Sequence, residues 1–398
     1  MSHQSPEHFG RAFPSWLVLM AFLSALGPIA IDMYLPAFPT MAASLNTSAG
    51  AIERTLAVYL LGLSIAQLFY GPISDRFGRR IPLFTGLVIF FIASIGCALS
   101  ANIQELYFWR IAQAFGGAAP MVIPRAVIRD RLNTNDAAKA LSILMLIMGV
   151  TPILAPIIGG QFLIFLDWHS IFFFMAAYTA LMFLLSWRHM DETLPIHRQQ
   201  KLRPSVIFKN YALLLTHRDF MLYSLAGAFG SAGMFAYISG SPRAFIQGFG
   251  ISPSLFGLVF GLNAASFILM AQVNARLLNT FRPSQLLYAA QLVQAITAII
   301  ALILSALGWL NLALTMIILV IFMGALGMIN PNSAALALNR HERRLGSASA
   351  LMGTLQMLAG AIAGIAISAW PAHSTLPLFT ILFACALLSW ICGRFANL

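Results

Sequence analysis

Charge is what this chain has least of. Charged residues fill 9% of its 398 positions, and only 12 are acids. A soluble domain carries roughly 25% charged residues. With 60% hydrophobic residues beside it, this scarcity excludes a water-soluble fold. An all-α polytopic membrane protein remains, because lipid tolerates only helices and closed barrels. Barrel strands alternate polar and apolar residues, and the runs here do not. Cysteine is also scarce: Cys97, Cys385 and Cys392 lie in or beside apolar runs with no C-x-x-C pair, which reads as buried thiols rather than a disulfide or metal site. The chain has no Gly-Lys dipeptide, so it holds no P-loop and no ATP-driven engine. His341-Glu342-Arg343-Arg344-Leu345 misses the zinc-protease pattern at its last position. No two histidines share ligand spacing on a helix. Neither an enzyme nor a bound cofactor is expected.

What is present is a set of long apolar runs. Twelve spans are predicted, at roughly 15–38, 52–72, 82–101, 104–124, 139–163, 169–188, 220–241, 254–278, 285–307, 309–330, 347–370 and 375–394. The net charge of +11 could suggest nucleic acid as a partner, but its distribution argues otherwise. With the N-terminus inside the cell, every Lys and Arg except Arg54, Arg110 and Arg243 falls on the cytoplasmic side. This positive-inside bias places both termini in the cytoplasm and makes anionic lipid headgroups the partner. Residues 1–14, with His3 and His8, read as a solvated tail. The run that follows exceeds the 7–15 apolar residues of a cleaved signal peptide.

The first run carries an acid, Asp32, where an ionisable residue is costly and by default marks a transport path or proton site. The bland alternative is a helix-end residue that reaches water. Arg110, in the fourth span, is the second buried charge. Each lies six residues from its predicted outer end, about 9 Å below the exit. The two thus share a depth, which makes them candidate partners; the alternative for Arg110 is snorkelling to headgroups.

Between spans two and three the chain reads Gly71-Pro72-Ile73-Ser74-Asp75-Arg76-Phe77-Gly78-Arg79-Arg80. Gly71 and Pro72 are expected to end a helix, and Gly78 to permit a tight reversal. Asp75, the lone acid in a basic loop, calls for a fixed partner. This loop resembles the signature of the major facilitator superfamily. The resemblance implies twelve transmembrane helices in two pseudo-symmetric six-helix halves: 1–188, a cytoplasmic linker 189–219, and 220–398. It also implies a conformational latch made of Gly71, Asp75, Arg76, Gly78, Arg79, Arg80, Arg129 and Asp130. Arg110-Ile111-Ala112-Gln113 resembles the fourth-helix motif of proton-coupled facilitators, which ties Arg110 to proton transfer. Arg125 is left either at the inner mouth of the cavity or as an anchor. Gly149, Pro152, Pro156, Gly159 and Gly160 resemble the fifth-helix pattern of antiporters. Asp191-Glu192-Thr193-Leu194-Pro195 resembles the end of the sixth span in drug exporters, and Val206-Ile207-Phe208, Tyr211 and Leu214-Leu215 repeat as a short surface helix.

The second half repeats the first at an offset near 203 residues, so Asp32 maps near Phe235. Phe235, Tyr237, Asn263, Asn330 and Asn332 are its candidate cavity residues; Asp32, Tyr34, Tyr59, Arg110 and Gln113 are those of the first half. Together with Asp32-Met33-Tyr34-Leu35-Pro36, these motifs resemble the Bcr/CflA drug-resistance transporters. The resemblance implies a proton-driven exporter of small antimicrobial compounds in the bacterial inner membrane; a monomer is expected. The single cavity carboxylate favours neutral, phenicol-like drugs over permanent cations. The expected alternative is a proton-coupled importer of a small metabolite; a receptor would not explain twelve spans in two halves.

Overall fold

The computed structural model describes residues 14–195, 204–339, 345–370 and 375–396. Twelve of its helices are long and apolar enough to cross a membrane, and no strand occurs among the described residues. The first half comprises α1 (Ser15–Asp32), a 3-10 turn (Leu35–Ala37), α2 (Phe38–Ser44), α3 (Ala49–Phe77), α4 (Arg80–Ala98), α5 (Ile103–Arg131), α6 (Thr134–Phe165) and α7 (Trp168–His189). After α8 (Pro204–Leu215), the second half comprises α9 (Arg218–Pro242), a π segment (Arg243–Gly248), α10 (Pro253–Leu277), α11 (Pro283–Ala306), α12 (Leu312–Leu338), α13 (Leu345–Ser368) and α14 (Leu376–Ala396).

Small polar residues set where these helices begin. The side chains of Ser48, Asn102, Asn133, Asp167 and Asn311 each accept a hydrogen bond from the N–H three residues on, satisfying a donor that the first turn leaves free. Two expected boundaries differ. The first span ends as an α-helix at Asp32, because Pro36 and Pro39 follow and a proline removes a helical donor. The second does not stop at Gly71 and Pro72: α3 carries Pro72 in its interior and runs to Phe77, reversing at Gly78 with φ 83°.

The His341–Leu345 motif, His3, His8 and the middle of the linker lie largely outside the described residues. Two α8 side chains, Leu214 and Tyr211, dock onto the bundle. Leu214 packs with Phe220, Ala348 and Met352, and the Tyr211 hydroxyl donates to the Leu68 carbonyl at 3.3 Å.

The halves meet along two helix pairs, α3 with α13 and α6 with α10. Small residues allow the approach. A Cβ on Gly50 would overlap the Ser368 carbonyl, and one on Gly160 the Pro253 carbonyl. Further along, Gly257 lies on the Ile157 backbone, and the Thr354 hydroxyl donates to the Ser64 carbonyl at 3.1 Å. Contact continues to Gly353 against Gln67, beyond which Gly71 and Gly346 face open space. The seam is therefore closed at the end farthest from the Gly78 loop, called here the distal end; the other is the basic end.

Candidate transport site

Asp32 is the last residue of α1 and is 2% exposed. Its Oδ1 is buried without a hydrogen-bond partner, and no ion pair reaches it among the described residues. The expected pairing with Arg110 is not what the structure shows. Arg110 docks on α1 two residues earlier, with Nη2 donating to the Ala30 carbonyl at 3.1 Å. Successive helical residues turn by about 100°, so Ala30 and Asp32 sit on nearly opposite faces. The common depth holds, but the common face does not.

Arg110 is instead held by neutral groups. Its guanidinium lies 4.4 Å from the Tyr34 ring centroid and 4.2 Å from that of Tyr59, a cation between two π faces. Nη1 donates to Gln113 Oε1 at 2.6 Å, and Gln113 Nε2 donates to the Ser94 hydroxyl at 2.8 Å. Tyr34 shares a 3.0 Å hydrogen bond with Thr55. The structure thus brings Tyr34, Tyr59, Arg110 and Gln113 together and adds Thr55 and Ser94. No sequence motif marks the Ala30 carbonyl or these two hydroxyls.

Across the seam, Tyr237 lies within electrostatic reach of Asp32. Its hydroxyl accepts from Asn263 Nδ2 at 2.9 Å, and its ring stacks on Phe260 with centroids 5.4 Å apart. A phenol that accepts one bond keeps its own O–H to donate. The other second-half candidates are elsewhere. Phe235 packs on Gly360 of α13; Asn330 accepts from the Ser231 hydroxyl at 3.1 Å, and Asn332 Nδ2 donates to Asn274 at 2.6 Å. The α6 motif supports α1 from behind: Gly159 abuts the Met33 carbonyl, while Gly160 and Gly149 abut α10. Pro152 and Pro156 lie inside α6. An apolar groove of about 950 Å³ opens between α6 and α10–α12, lined by Val150, Ile153, Leu262 and Val293 among others; no ionisable group lines it.

At the basic end, Arg79 is 7% exposed and pairs with Asp75 at 2.7 Å and Asp130 at 2.8 Å. Arg80 stacks over Phe84, Arg76 lies over Phe77, and Arg129 is exposed. Glu192 completes the cluster: its carboxylate accepts from the Arg79 N–H at 2.8 Å and the Arg80 N–H at 3.1 Å. Arg79, Asp75 and Asp130 belong to the first half, and Glu192 to the start of the linker that follows it.

Residues 18–364 match the family described as Major Facilitator Superfamily. The chain belongs to that superfamily. Like the rest of it, this is a transporter rather than an enzyme, and a multi-pass inner-membrane protein. An uncharacterized MFS-type transporter, YdgK of Bacillus subtilis (strain 168), is 36% identical over 86% of this chain and 86% of its own length. The bicyclomycin resistance protein homolog of Haemophilus influenzae is 29% identical over 94% of each. Among solved structures, a D-xylose–proton symporter superposes with TM-score 0.73 at 16% identity, covering 96% of this chain and 97% of its own. That likeness shows the fold alone. In this superfamily member, the halves are in close contact at the distal end, while the Asp75–Arg79–Asp130 ion pairs lie within the first half.

Proposed function

We propose that this facilitator exports small amphipathic antimicrobial compounds in exchange for protons, with neutral, phenicol-like molecules favoured. The observation that carries the reading is the partnerless Asp32 carboxyl at the seam. A buried ionised carboxylate without partners is costly, so its charge depends on what comes to lie beside it. Asp32 takes a proton when the distal end is open and gives it up at the basic end as drug arrives. With the basic end in the cytoplasm, each proton moving inward contributes about 2.3 kcal/mol per 100 mV of membrane potential. No bound cofactor is then needed, and a monomer suffices. Drug-resistance relatives support export, as does the glycine-lined α6. The facing wall of Tyr237, Asn263 and Phe260 carries no charge, which suits neutral substrates. The fold is shared with a sugar–proton symporter, so the competing reading is proton-coupled uptake of a small metabolite.

The test is substrate-triggered proton release from purified protein, run beside Asp32→Asn. Wild type releases protons on adding a transported phenicol and the variant does not. Equal release from both, or none from wild type with any compound tried, removes the proposed coupling. Accumulation rather than extrusion of substrate by expressing cells favours uptake.

A further inference from the structure

The acid that the mechanism above does not use is Glu53, on the first turns of α3 and 1% exposed. Its Oε2 lies 2.7 Å from Nη2 of Arg243, at the start of the π segment that follows α9. The pair therefore joins the two halves at the distal end, whereas the ion pairs of Arg79 and Lys139 lie within the first half. Arg243 is fastened further by Nη1 donating to the Trp370 carbonyl, just beyond α13, at 2.9 Å. The Ser239 hydroxyl donates to the Glu53 carbonyl at 3.4 Å. Nearby charge is otherwise sparse. Arg54 is exposed beside Glu53 on α3 and donates to the Gly50 carbonyl, and Tyr107 of α5 donates to the Ala51 carbonyl. From α13 the groups that approach are carbonyls.

We infer that Glu53 and Arg243 form an electrostatic gate that holds the distal end of the path shut. A facilitator that alternates access must part its halves at this end, so contacts across it exist in only one state. Those at Gly50, Gly160 and Gly257 are glycine-to-backbone packing, which separates without uncovering charge. The Glu53–Arg243 pair differs, because a charge buried opposite its partner is tolerated only while the partner stays. Removing one member leaves a bare charge in a closed seam, and opening the seam rehydrates it. The gate thus positions the two halves and touches no substrate. It rests on superfamily membership and not on the drug or proton reading.

The experiment uses full-length protein with its three cysteines replaced and spin labels on cysteines placed at exposed Ala43 and Leu307, one on each half at the distal end. It runs without substrate at one pH, so its result is independent of the Asp32 assay. Glu53→Gln and Arg243→Gln each raise the long-distance population several-fold. Arg243→Lys, which keeps the charge, stays as closed as wild type, and so does the exchange Glu53→Arg with Arg243→Glu. Neutral variants with the wild-type distance distribution overturn the gate. So does an Arg243→Lys protein as open as Arg243→Gln, since packing rather than charge then holds the seam. Thermal unfolding of each variant confirms that the compared samples are folded.

Discussion

Asp32 and Arg110 show what a sequence does and does not reveal about a single side chain. Their shared depth follows from helical rise alone. The partner of Arg110 does not, because it is the Ala30 carbonyl, and any residue type at position 30 would offer the same oxygen. Two aromatic faces and a buried hydrogen bond to a charged group are together worth several kcal/mol. Arg110→Met should therefore lower stability by about 2–4 kcal/mol, read from unfolding of the purified protein. Lysine should not rescue it, since an ammonium lacks the planar fork that lies between Tyr34 and Tyr59. If the two charges act on separate faces of α1, Asp32→Asn and Arg110→Met add within about 0.5 kcal/mol. A larger coupling would place them in contact. Glu53, by contrast, was open to the rule that singled out Asp32. It lies inside the predicted 52–72 span, and Arg243 stood out as a basic residue on the wrong side.

Elements carry the seam through their glycines. On α6, Gly160 meets the backbone of α10, which cannot rotate away as a side chain can. Gly160→Leu should force the distal ends of α6 and α10 apart, costing roughly 1–3 kcal/mol and most of the transport activity, checked by drug susceptibility of cells with matched expression. Gly71 is the contrast. It belongs to the signature loop yet faces open space inside a continuous helix, so Gly71→Ala should leave stability unchanged or raise it by about 0.5–1 kcal/mol. The helix ends were legible where a polar cap precedes an apolar run, as at Asn102 and Asn133. They are not legible at Pro72, because proline is tolerated within a membrane helix whose neighbours re-satisfy its backbone. The end of the sixth span resembles a family motif, but its work is local: Glu192 caps two N–H groups of the loop. Glu192→Ala should speed amide hydrogen exchange at residues 79 and 80, followed by mass spectrometry, while leaving exchange at the distal end unchanged.

For the molecule as a whole, composition and run length were enough to reveal twelve helices. Which state the two halves occupy was not legible, because every access state of a carrier is built from the same helices and differs only in which seam contacts are made. The two halves also differ in chemistry. Asp32, Arg110 and the Arg79 cluster belong to the first, while Tyr237, Asn263 and Phe260 present a neutral wall from the second. Under the export proposed above, ionisation would sit on one scaffold and shape selection on another. On that proposal, changes on the neutral wall would retune which molecules are accepted while the ionisable machinery stays intact, and new specificities would arise there without rebuilding the motor.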